Sequence, residues 1–213
     1  IYLRLYLKFM SIRINYLEKP ANKPFENLVL FVDENFNIGG LKKYISNSEF
    51  SYIADLLKKS DLKKDTLFFE VNSKKTIFLV SIKKNIKISD IENLGAKFHS
   101  YINYEKKDEY FVNSDTINDI TKNFIGHFLH GLKLKSYEFN IYKSKINKKI
   151  VSINVIGKKN KISTKDYLRF KALEEGSFFA RDLVSEPCLF IHISEPTRRT
   201  PISYAVFCLK KHN

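Results

Sequence analysis

His127 and His130 stand three residues apart in the stretch Gly126–Ser144, GHFLHGLKLKSYEFNIYKS, and residues three apart on a helix share a face. Two imidazoles on one face can begin a metal site, but a closed site needs four ligands and a catalytic one generally three. No third ligand lies nearby in sequence, so the pair is read as a polar or interface face. His99 stands alone beside Phe98 and is read as structural. Glu174, Glu175 and Asp182 would suit general-acid or metal chemistry in isolation. They lie on a helical pattern close to Arg181, which predicts surface or interdomain ion pairs. Ser177 and Ser185 have no histidine in a recognisable triad order. Gly39-Gly40 follows a strand-like run, where an α/β fold can cradle phosphate, yet neither GxGxxG nor GxxxxGK is present. Cys188 and Cys208 fall in no CxxC or Cys/His spacing, which leaves no disulfide framework and no zinc site. No residue is therefore assigned a catalytic, cofactor-binding or metal role.

The elements that position these groups are legible from periodicity. Ser11 to Leu17 alternates Ile12, Ile14 and Tyr16, the period of a half-buried strand, and Pro20 and Pro24 mark a turn. Asn27 to Asp33 holds the run LVLFV, expected of a strand buried on both faces. Phe50, Ile53, Ala54 and Leu57 predict a first helix. Thr66 to Val71 and Thr76 to Ile82, split by Asn72-Ser73-Lys74-Lys75, predict a hairpin. Ser89 with Glu92 is a capping box ahead of Ile91, Leu94, Phe98 and Ile102, a second helix. Tyr110 to Val112 is a short strand, and Ile117, Ile120, Phe124, Phe128 and Leu132 stripe a third, longer helix. Ile150 to Ile156 is the last strand. A capping box of Ser163 and Asp166 opens a final helix that Pro187 ends. Strands alternating with helices predict an α/β fold: a layered mixed sheet with helices on both faces.

In that final helix Leu168, Ala172, Phe179 and Leu183 recur at steps of three and four with Gly176 in line, a single apolar stripe. Glycine costs a helix roughly 1 kcal/mol against alanine, so Gly176 is expected where another backbone comes close. The residue order of Ala172–Pro187, ALEEGSFFARDLVSEP, resembles the helix joining the two domains of leucyl aminopeptidases, with Ser185 where that family usually has asparagine. Gly126–Ser144 is similar to the family's helix-to-strand segment, with Tyr137, Phe139, Tyr142 and Lys143 in the expected order. The resemblance covers roughly Met10 to Cys188 and implies a macro-domain-like N-terminal domain over 10–162 followed by an interdomain helix over 163–188. In the full-length family, two divalent metals, zinc or manganese, sit in the C-terminal domain, in segments reading like GKGITFDSGG and NTDAEGR. Neither segment occurs here. Two-metal hydrolysis needs those carboxylates to hold the ions about 3.5–4 Å apart around an activated water.

The totals bound the remaining classes. The chain has 213 residues, 44% apolar, with net charge +14. That length allows one ample domain, or one domain and a piece of another. The lysines occur as scattered pairs, from Lys42-Lys43 to Lys148-Lys149, which predicts a solvated basic surface ahead of a dedicated phosphate site. No apolar run approaches the roughly 20 residues of a membrane span, and a cytoplasmic protein is expected. Residues 1–9 precede Met10 and are read as a non-native leader. Residues 189–213 have no sustained helical period, resemble a translated sequencing adapter, and are read as a non-native, disordered tail. Without both ends, 31 basic and 22 acidic residues remain, a net +9.

The sequence therefore reads as the non-catalytic N-terminal domain of a leucyl aminopeptidase, inactive alone, with the catalytic domain and a hexamer as the implied partners. Two other classes stay open. A stand-alone ADP-ribose- or nucleotide-binding module would need a phosphate loop and pocket near residues 36–41. A nucleic-acid module would need its lysines gathered on one face.

Overall fold

The computed structural model describes residues 12–17, 25–62, 64–73, 75–105, 107–117, 123–140, 142, 150–157 and 162–185. The expectations for residues 1–9, Met10, Pro20, Pro24, Ile120, Pro187, Cys188, Cys208 and 189–213 lie outside them. Six strands form one mixed sheet in the order β1-β6-β5-β2-β4-β3. They are β1 (Ile12–Leu17), β2 (Asn27–Asp33), β3 (Thr66–Glu70), β4 (Thr76–Ile82), β5 (Glu109–Asn113) and β6 (Val151–Ile156). All neighbours are parallel except β3 and β4, the hairpin, whose turn is closed by Lys75 N donating to Asn72 Oδ1 at 2.7 Å.

Four helices accompany the sheet: α1 (Asn47–Leu57), α2 (Ile88–Glu105), α3 (Phe124–Lys135) and α4 (Thr164–Ser185), with 3-10 turns at Gly39–Lys43 and Ser114–Thr116. β2 and β4 are apolar without alternation because both of their faces are covered. Val29, Phe31, Phe78 and Val80 pack into the core that holds α2 and α3, while Leu28, Leu30, Ile77 and Leu79 pack with Ile53 of α1. Aromatic edges lock the first core. Phe31 meets Phe124 and Phe128 edge-on at 5.4 Å, and Phe98 meets Tyr110 at 5.7 Å.

α1 and α4 start at side-chain hydrogen bonds, ahead of their first apolar residue. Ser46 and Glu49 form a reciprocal capping box that starts α1 at Asn47, three residues ahead of its first apolar signal. α2 begins at Ile88, one residue before Ser89, so the expected Ser89–Glu92 box does not form; Glu92 turns to His127 instead. The third helix is shorter than its stripe. Ile117 is buried but extended (φ −80°, ψ 123°), because Asn113 Oδ1 accepts from Asp115 N and Thr116 Oγ1 accepts from Phe31 N, which holds a tight turn there. α3 starts at Phe124, behind Asn123 in the left-handed region (φ 60°). At α4 the Ser163 hydroxyl accepts from Asp166 N at 3.1 Å, as expected, and the Asp166 carboxylate also receives Asn123 Nδ2 at 2.7 Å.

The α2–α3 crossing runs through two glycines. A Cβ on Gly95 would overlap the Phe128 carbonyl oxygen, and one on Gly131 would overlap the Glu92 carbonyl oxygen. Each helix thus receives the other's backbone where a side chain would stand. The chain divides into two compact units, Ile1–Glu175 and Gly176–Asn213; the first holds the sheet and α1–α3, and the described part of the second is α4 from Gly176 onward.

These geometries set opposite outcomes for one substitution. Gly131→Ala should destabilise by about 2–3 kcal/mol through overpacking against fixed backbone. Gly176 has nothing within 4 Å of an added Cβ, so Gly176→Ala should stabilise by up to about 1 kcal/mol. Urea midpoints of the two variants check both signs.

Candidate functional site

One side of α3 carries Gly126, His127, His130 and Lys133, a succession that helical geometry places along one stripe. α4 answers with Phe170 and Glu174, four residues apart and the buried residues of that helix. Phe170 seats against Gly126, where a Cβ would meet its ring. The ring stands 5.0 Å from the His127 ring at a near-perpendicular angle and 5.3 Å from the His130 ring. It therefore fills the space beside both imidazoles.

Around that ring, carboxylates answer the histidines. Glu174 is 5% exposed, and its Oε1 lies 3.4 Å from His130 Nδ1. Lys133 Nζ donates to its Oε2 at 2.8 Å. His127 Nδ1 lies 3.2 Å from Glu92 Oε1 of α2. A carboxylate removed from water requires such partners, since an isolated buried charge costs several kcal/mol. Tyr16 of β1 belongs to the same neighbourhood. The residue as a whole is 43% exposed, but desolvation of its hydroxyl, then Tyr167 and Glu174, push its pKa upward. Among the described residues no group of three or more His, Cys, Asp or Glu side chains is placed to hold a metal ion. With a phenyl ring wedged at both histidines, the residues present do not fit the two-metal centre of a peptidase. What the arrangement does chemically is bind α4 to α3 through a buried, matched charge cluster.

Two sequence expectations need correction. Glu174 is no surface ion-pair residue; it is buried between His130 and Lys133. Glu175 is the exposed one, 4.0 Å from Lys171. The apolar stripe does not bury α4 either. Leu168, Ala172, Phe179 and Leu183 are exposed, and Gly176 meets no neighbouring backbone among the described residues. Sequence reasoning missed Glu92, Lys133 and Phe170. The available signal was the i, i+4 spacing of Phe170 and Glu174, which puts both side chains on one helix face. Ser177, Arg181, Asp182 and Ser185 lie on α4 beyond Gly176.

His99 is buried on α2, and its Nδ1 has no hydrogen-bond partner. Burial chiefly, and Lys135 secondarily, lower its pKa below the ordinary 6.5, against an opposing pull from Glu138. Gly39 and Gly40 sit in a 3-10 turn rather than an open loop, and the Gly39 amide donates to Asn37 Oδ1 at 3.0 Å. Phe36, Ile38 and Leu41 of the same segment turn into the core.

No protein-family profile matches the sequence, and no curated protein matches it. Solved structures do. A tomato leucine aminopeptidase variant superposes with a TM-score of 0.65 at 15% identity, over 83% of this chain and 38% of that one. The bottromycin maturation enzyme BotP gives 0.54 at 9% identity without metal and 0.52 at 9% in complex with Mn, each over 77% of this chain and about a third of the other. A Thermus aquaticus DarG macrodomain gives only 0.47 at 11% identity, over 69% of this chain and 99% of that one, too low to argue a shared fold. The likenesses to the leucine aminopeptidase and to BotP show the fold alone, an α/β fold that forms part of those larger enzymes. The chain spans well under half the length of those enzymes. No helix among the described residues is long and apolar enough to cross a membrane.

Two measurements check the cluster. Glu174→Gln should destabilise by about 2–3 kcal/mol, since it leaves the part-buried Lys133 short of a charge partner, whereas Glu175→Gln should stay within about 0.5 kcal/mol. For His99, a lowered folded pKa means the unfolded chain binds the extra proton. Stability should therefore fall as pH drops below about 6.5, by at most about 1.4 kcal/mol per pH unit from this group, and level off above it. Urea midpoints between pH 5.5 and 7.5 should vary less steeply in His99→Leu; an unchanged slope would clear His99 of the effect.

Proposed function

We propose that this chain is the N-terminal, non-catalytic domain of a leucyl aminopeptidase, a family that removes N-terminal residues from peptides with metal-activated water. The observation that carries this reading is the 0.65 superposition on a leucine aminopeptidase over 83% of the chain. The likeness of Gly126–Ser144 and Ala172–Pro187 to segments of that family supports it from the sequence side. The role follows from what surrounds α4. Its inner residues Phe170 and Glu174 are spent on α3, while Phe179 and Val184 beyond Gly176 are 53% and 87% exposed. Exposed apolar side chains on a helix suit a covering partner, and in this reading the partner is the catalytic domain, within a cytoplasmic hexamer.

In this reading the zinc or manganese pair of the family, with its ligands and general base, belongs to that other domain. The contribution of this chain is structural: the α/β domain seats the first part of α4 through Phe170 and Glu174. The nucleotide-module alternative has neither a GxGxxG nor a GxxxxGK segment to support it. A nucleic-acid module gains nothing from Lys58, Lys75, Lys97, Lys133 and Lys171, each matched to a carboxylate.

The purified chain should hydrolyse no leucine amide above the metal-only blank with manganese, zinc or cobalt added, because lowered water pKa and charge stabilisation both require ligands held around the ion. Metal-dependent turnover that disappears in a His127→Ala, His130→Ala double variant would overturn this. Turnover that survives in that variant would trace to a co-purifying peptidase.

A further inference from the structure

We draw no further inference here: the strongest candidate, the polar trough of about 440 Å³ along α2 lined by Asp90, Asn93, Lys97, Ser100, Ser81 and Lys135 among others, is walled largely by exposed residues of that helix, its Lys97 is already paired with Asp65, and among the described residues no buried polar side chain lacking a hydrogen bond lines it.

Discussion

The close approach of α2 and α3 is the constraint on which the rest of this fold rests. Packed helices usually stand 8–10 Å apart, separated by the side chains at their contact. Here Gly95 and Gly131 remove those side chains, and each helix brings a backbone carbonyl into the gap left by the other. The helices pay for glycine in their interiors, roughly 1 kcal/mol each, and the fold recovers it by seating Phe98 and Phe128 together over the sheet. The crossing also fixes the rotation of α3 about its axis. With Gly131 turned to α2, the neighbouring stripe of Gly126, His127, His130 and Lys133 is turned to α4.

From that rotation the charge cluster follows. Glu92 lies next to the crossing on α2 and is brought to His127; Glu174 on α4 is brought to His130 and Lys133. A buried ion cluster of this kind contributes little net stability compared with an apolar replacement, because desolvation offsets most of the attraction. Its effect is selective. A helix shifted by one residue along α3 would bury Glu174 without partners, a penalty of several kcal/mol, so one docking register is favoured over its neighbours. Phe170 against Gly126 enforces the same register by shape. Two histidines that resemble the start of a metal site therefore serve as the polar rim of a helix socket.

Much of this was legible in the sequence, and the failures share a cause. The apolar runs of β2 and β4, the hairpin turn and the α2 stripe of Ile91, Leu94, Phe98 and Ile102 are local patterns, and all four stripe residues are buried. Period says which residues share a face; it does not say which way that face points. On α4 Leu168 and Ala172 of the apolar stripe are exposed while Phe170 and Glu174 turn in, because α3 offers Gly126 to the ring and Lys133 and His130 to the carboxylate. Glycine is ambiguous for the same reason. Gly131 and Gly176 read alike in a helix, yet one abuts a backbone and the other faces open space. Ile117 shows the complementary case, in which apolar spacing continues but side-chain hydrogen bonds from Asn113 and Thr116 hold the backbone in a turn. The site was the least legible part, since its members come from three helices and meet only after α2 and α3 have crossed.

The central claim, that the glycine crossing sets the socket for α4, can be tested away from the socket itself. Amide hydrogen exchange across residues 167–174 in Gly131→Ala, measured where the variant remains folded, reads whether a change on the α2-facing side of α3 reaches α4. The expected result is faster exchange through that turn of α4, together with faster exchange in α2 around Glu92, while β2 and β4 keep their protection. Unchanged protection at residues 167–174 in a variant whose α2 amides have loosened would contradict the account.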